Sequence, residues 1–168
     1  LHPKVHGGIL ADPTDAGHQA DMAAYGIAPI DLVVSNRYPF GSDLSGFQHG
    51  SGQVSPVDMI DIGGPAMVRA AAKNHRFVGV LVDPTDYDSV IAELRTAGAL
   101  GEATRRRLAR TAFAHTAAYD AAIVTWFDET DPDLETESPT GTDGDDILPA
   151  SIHLALERAQ PLRYGENP

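Results

Sequence analysis

The chain has 168 residues, 42% apolar and 21% charged, which is enough for one modest domain that buries its own core. Its formal net charge of −12 argues against nonspecific nucleic-acid binding, because a phosphate backbone attracts clustered lysine and arginine. The absence of cysteine excludes disulfides and thiolate metal sites, no apolar run approaches the roughly 20 residues of a membrane helix, and Leu1-His2-Pro3-Lys4 is not a signal peptide, so a soluble cytoplasmic protein is expected.

In chain order, His2 and His6 come first. Their spacing of four suits zinc on a helix, yet Pro3 and the Gly7-Gly8 pair argue against a helix and no third ligand is near, so no metal is expected. A helical pattern follows over Gln19–Tyr25. Ile30–Val34 then reads as a mostly buried strand, a short β-branched run punctuated by Pro29 and Asn36. Ser42, Ser45, Ser51 and His49 lie in a polar glycine-rich loop without the strand–turn–helix setting of a nucleophile elbow, and read as loop solvation.

The richest stretch is Ile60–His75, where an acid, a glycine pair, a proline and two cations follow one another. Gly63 and Gly64 let backbone approach a ligand, and Pro65 suits the first turn of a helix running to about Asn74. Arg69 and Lys73, four apart, share one helix face, while Ala70, Ala71 and Ala72 permit close packing on another. Within an acidic chain, Lys4, Arg37, Arg69 and Lys73 are the candidates for a local positive site that takes an anionic, nitrogen-rich ligand.

Phe77–Val82 reads as a second buried strand, and the order strand, crossover helix, strand predicts an α/β fold with a parallel sheet. Asp86–Ala97 is helical, with Tyr87, Val90, Ile91 and Leu94 as its core stripe and Gly98 as its stop. A long helix runs from about Glu102 to Phe127; Arg105, Arg106, Arg107 and Arg110 are expected on a solvated face opposite Leu108, Ala112 and Phe113. Phe113, Tyr119 and Trp126 supply interior or dimer-contact aromatics, and His115 reads as a packed or capping residue. Residues 128–146 have the acidic, apolar-poor composition of a linker or exposed loop, and Ser151–Glu157 alternates like a strand. Neither a P-loop nor a dinucleotide fingerprint is present, so no ATP or NAD site is expected.

Five separated motifs carry a resemblance: Leu1–Leu10, Asn36–Phe40, Ile60–His75, Ala112–Thr116 and Leu162–Pro168. Together they resemble the PurH family of bifunctional purine biosynthesis proteins, which join IMP cyclohydrolase to AICAR formyltransferase. The likeness is weak only over residues 41–55 and 128–150. It implies a methylglyoxal-synthase-like α/β module, a parallel sheet flanked by helices, with ligands at the carboxyl ends of the strands. It further implies a domain at 1–127, the acidic linker at 128–146, and at 147–168 a connection into a formyltransferase domain that this chain lacks. In the family a lysine and a threonine directly precede the position of Leu1, after further strands and phosphate-gripping loops. The expectation is therefore an N-terminally incomplete cyclohydrolase domain, poorly active alone.

The implied reaction is the dehydrative closure of FAICAR, a formylated imidazole ribonucleotide, to IMP. By match to the motifs, Asp61 is the acid/base residue, Lys73 the cation facing the reacting oxygen, and Tyr38 a hydrogen-bond donor. Asn36, Gly63, Gly64 and Arg69 are the substrate-binding candidates. The resemblance implies no cofactor or metal for the closure, 10-formyltetrahydrofolate for the absent formyltransferase, and a homodimer in the full-length protein. The alternative expectation is a noncatalytic nucleotide-binding module of the same fold.

Overall fold

The computed structural model of the protein describes residues 1–36, 40 and 55–130. The chain divides into two compact units, Leu1–Ile123 and Val124–Pro168. Tyr38, the serine-rich loop with His49, the expected strand Ser151–Glu157 and nearly all of the acidic segment lie outside the described residues.

Helix α1 spans Pro3–Leu10, which overturns the expectation that Pro3 and the glycine pair forbid a helix there. His2 caps it, its Nδ1 accepting the Lys4 N–H at 3.2 Å, and Pro3 sits in the first turn, where its missing N–H costs nothing. Gly8 is required by packing. A Cβ at that position would stand 2.3 Å from the carbonyl oxygen of Ala28, and the Gly8 carbonyl accepts the N–H of Ile30 at 3.1 Å. Close approach to the segment entering the sheet thus offsets the helix penalty of glycine, about 1 kcal/mol. His6 Nδ1 lies 3.4 Å from the His2 carbonyl, and its Nε2 is buried without a hydrogen-bond partner among the described residues.

Helix α2 (Ala16–Tyr25) begins before the expected Gln19 because the Asp15 carboxylate accepts the N–H groups of Gly17 and His18. Strands β1 (Leu32–Val34) and β2 (Gly79–Leu81) pair in parallel, Val33 opposite Val80, with α3 (Gly63–Lys73) crossing between them. β1 is the last three residues of the expected Ile30–Val34 strand and β2 the middle of Phe77–Val82, and parallel pairing across a helical crossover is the predicted α/β arrangement.

Residues of β2 alternate between two clusters. Val78, Val80 and Val82 join Val33, Ile9 of α1, Val68, Ala71 and Ala72 of α3, and Ala109 and Ala112. Leu81 points the other way, to Leu100, Leu108 and Val90 of α4 (Tyr87–Ala97). The period-two alternation of a strand therefore places α1 and α3 on one face and α4 on the other. The α4 stripe is wider than the surface it covers: Val90 is buried and Tyr87 and Leu94 pack beside it, but Ile91 remains 41% exposed, not core as expected. Gly98, at φ +72°, closes α4 in the left-handed conformation, its N–H bonded to the Leu94 carbonyl at 2.9 Å.

Helix α5 (Glu102–Thr130) continues three residues past Phe127, into the segment expected to be linker; its Val124–Thr130 portion belongs to the second unit. The expected solvated arginine face needs correction. Arg105 is half-buried and donates to the carbonyls of His75 (3.0 Å), Arg76 (2.7 Å) and Leu100, while Arg107 pairs with Asp86 at 2.6 Å. Arg106, Arg107 and Arg110 conform, all three exposed, with Arg107 engaged by Asp86. Of the aromatics, Tyr119 is buried, Trp126 half-buried, and Phe113 39% exposed.

Candidate active site

Parallel strands with a helical crossover leave loops at their carboxyl ends, the usual seat of ligands in α/β sheets. Asn36 is exposed two residues beyond β1, whose ladder continues to the Ser35 N–H, bonded to the Leu81 carbonyl at 2.9 Å. Asp61 stands at the same edge, between the 3₁₀ turn Pro56–Met59 and the start of α3.

Asp61 is exposed but anchored at both its main chain and its side chain. Its N–H donates to the phenol oxygen of Tyr119 on α5 at 3.0 Å, and its Oδ1 accepts the N–H of Gly64 at 3.0 Å. The second bond satisfies one of the unpaired amides of the helix start, where the positive end of the helix dipole also favours a carboxylate. Among the described residues, a Cβ at Gly63 would meet that same Oδ1 at 4.0 Å, an ordinary contact distance.

Arg69 and Lys73 share the exposed face of α3 as their spacing requires, while Val68 and Ala70–Ala72 are buried on the other. The Arg69 guanidinium lies 5.7 Å from the centre of the Phe113 ring, a cation–π distance. Lys73 occupies the last turn. Ten residues of helix from Gly63 put its backbone roughly 15 Å from the Asp61 end, at the edge where the strands begin. The structure therefore gathers Asn36, Asp61, Gly63 and Gly64 at one edge and sets Lys73 at the other.

Residues outside the site candidates read from the sequence also reach the carboxyl edge. Asp83 follows β2 and accepts the Thr85 N–H at 2.8 Å, which together with the Thr85 hydroxyl holds its carboxyl below the ordinary range; the charge of His115 on α5 adds to this. His115 and Tyr119 are four apart and Thr116, also buried, lies between them. Polar side chains at that spacing beside Leu108 and Ala112 were the signal available in the sequence: a face of α5 turned toward chemistry rather than solvent.

With parallel strands joined by a helical crossover, the chain is an α/β protein that carries an anchored carboxylate at the carboxyl edge of its sheet. The family model described as AICARFT/IMPCHase bienzyme matches residues 71–168, and the chain belongs to that family. Over its full 168 residues it is 46% identical to a protein named bifunctional purine biosynthesis protein PurH from Myxococcus xanthus (strain DK1622) and 50% identical to one of that name from Sorangium cellulosum (strain So ce56). A Bacillus cereus (strain AH820) protein of the same name is 45% identical. The chain spans 30% of the length of the first of these relatives and 31% of the second. Among solved structures, the crystal structure of ForH superimposes with a TM-score of 0.63 at 40% identity, covering 76% of this chain and 65% of that one. Among the described residues no helix is long and apolar enough to cross a membrane.

Proposed function

We propose that this chain is the IMP cyclohydrolase part of a bifunctional purine biosynthesis enzyme and closes FAICAR to IMP. The carboxamide nitrogen attacks the formyl carbon, a C–N bond forms, and the formyl oxygen leaves as water with one proton from the carboxamide nitrogen and one from the formamido nitrogen. Both reacting groups belong to one molecule, so the protein must hold a near-attack conformer and manage protons and charge. The observation that carries this reading is the Asp61 carboxylate, held at the α3 start by the Gly64 N–H, with its own amide tied to Tyr119. It serves as acid/base residue. Asn36 and the Gly63-Gly64 backbone grip base and ribose, with Tyr38 donating to the reacting group and Arg69 drawing the anionic nucleotide.

Lys73 faces the developing oxyanion. Because α3 holds it far from Asp61 of its own chain, we assign it to the cleft of a second copy in a homodimer. No cofactor enters the closure; 10-formyltetrahydrofolate belongs to the formyltransferase that the remaining length of the relatives would supply. The setting is the cytoplasm. Replacing Asp61→Asn in the full-length protein should lower kcat about 100-fold or more while IMP affinity changes less than about threefold. Steady-state turnover of FAICAR with calorimetric IMP titration checks this. Undiminished turnover would remove Asp61 from the acid/base role, and IMP binding without any turnover by the parent protein would favour the nucleotide-binding module.

A further inference from the structure

Helices α3 and α5 run antiparallel, and three contacts define their register. Arg105 meets the His75 and Arg76 carbonyls beyond the end of α3, Phe113 meets Arg69 in its middle, and Tyr119 meets the Asp61 N–H at its start. The last contact joins residues 58 apart in sequence. Tyr119 is only 7% exposed, its ring stands edge-on to Phe40 at 6.0 Å, and its phenol oxygen therefore occupies a fixed point. Asp61, by contrast, is an exposed residue in a short connection between a 3₁₀ turn and α3. Its carboxylate has a local partner in the Gly64 N–H, but that bond moves with the turn to which both residues belong.

We propose that Tyr119 is a positioning residue for Asp61, a buried phenol that fixes the main chain of the acid/base residue from across the domain. This rests on the assignment of Asp61 in the ring closure. The phenol need not touch the substrate: by pinning the Asp61 amide nitrogen it sets where the carboxylate stands, and a displacement of about 1 Å at a reacting group can cost on the order of 100-fold in rate. A small residue would leave a cavity, whereas phenylalanine keeps the ring against Phe40 and removes the hydroxyl that accepts the Asp61 N–H.

The test uses full-length protein with Tyr119→Phe, Asp61→Asn and both together. Tyr119→Phe should lower kcat about tenfold with KM for FAICAR and IMP affinity within about twofold, and in the Asp61→Asn background it should change kcat less than about twofold. Hydrogen exchange at the Asp61 amide should quicken in Tyr119→Phe. An undiminished kcat in the single variant, or an equal tenfold loss with Asp61 already replaced, would overturn the proposal. Exchange separates the two readings. If Asp61→Asn alone turns over at the parental rate, the ring-closure role has failed, and faster exchange in Tyr119→Phe still upholds the tie; unaltered exchange overturns it whatever the turnover.

Discussion

Glu93 uses both carboxylate oxygens to close the turn between α4 and α5, accepting the Gly101 N–H at 2.6 Å and the Thr104 hydroxyl at 2.7 Å. The Gly101 bond first, and the Thr104 bond after it, hold its carboxyl below the ordinary glutamate value of 4.5. A depressed acid stabilises the fold above its unfolded value and loses that contribution as pH falls through the folded one. Glu93→Gln should therefore lower the urea midpoint relative to the parent at about pH 6, and the two midpoints should converge as pH falls below 4.5. Paired unfolding curves check it, and a constant gap across that range would refute it. At this scale Arg69 and Lys73 were legible by spacing, because two cations one turn apart are a local pattern, whereas Asp61 was singled out by the resemblance of its motif to the family's. The sequence could not display Tyr119 as the anchor of Asp61, or Arg105 as a clamp on three carbonyls, since those partners are set by how α5 lies across α3.

At the scale of elements, the helices from α2 to α5 and both strands were legible because apolar periodicity and stops such as Gly98 act within a few residues, although the Asp15 cap that starts α2 at Ala16 was missed. Helix α1 was not. Pro3 and Gly7-Gly8 are locally unfavourable, and the compensation, contact of Gly8 with the Ala28 carbonyl, comes from another part of the chain. Gly8→Ala should consequently destabilise the protein by about 2 kcal/mol, although alanine is the better helix former. Chemical denaturation gives the value, and a stabilised variant would contradict the packing argument. Arg105 in turn ties the end of α3 and the turn before α5 to one guanidinium, which is why a residue expected in solvent is half-buried.

At the scale of the molecule, the separation of Lys73 from Asp61 by the length of α3 makes a statement about assembly. If each cleft takes its carboxylate from one copy and its ammonium from another, two differently inactivated chains can rebuild a working site. Mixing full-length Asp61→Asn with Lys73→Ala, after dissociation and reassociation, should restore up to about a quarter of parental turnover, the share of sites in a random heterodimer mixture that receive both native groups. Recovery no greater than the sum of the separate variants would confine each site to a single chain. The α/β architecture was legible in the order of strands and helices, whereas the number of chains that complete one site was not, because no residue pattern marks what a second copy contributes.

The antiparallel register of α3 and α5 has a consequence for how the chain tolerates change in length. Each residue of a helix advances about 100° around its axis, so one amino acid inserted between Leu108 and Ala112 would swing every later side chain by that angle. The clamp at Arg105 would survive, but Tyr119 would turn away from the Asp61 amide and Phe113 from Arg69. Point substitutions can be absorbed along much of this helix; a change in its count between Arg105 and Tyr119 cannot, because the cleft is assembled by phase as much as by composition.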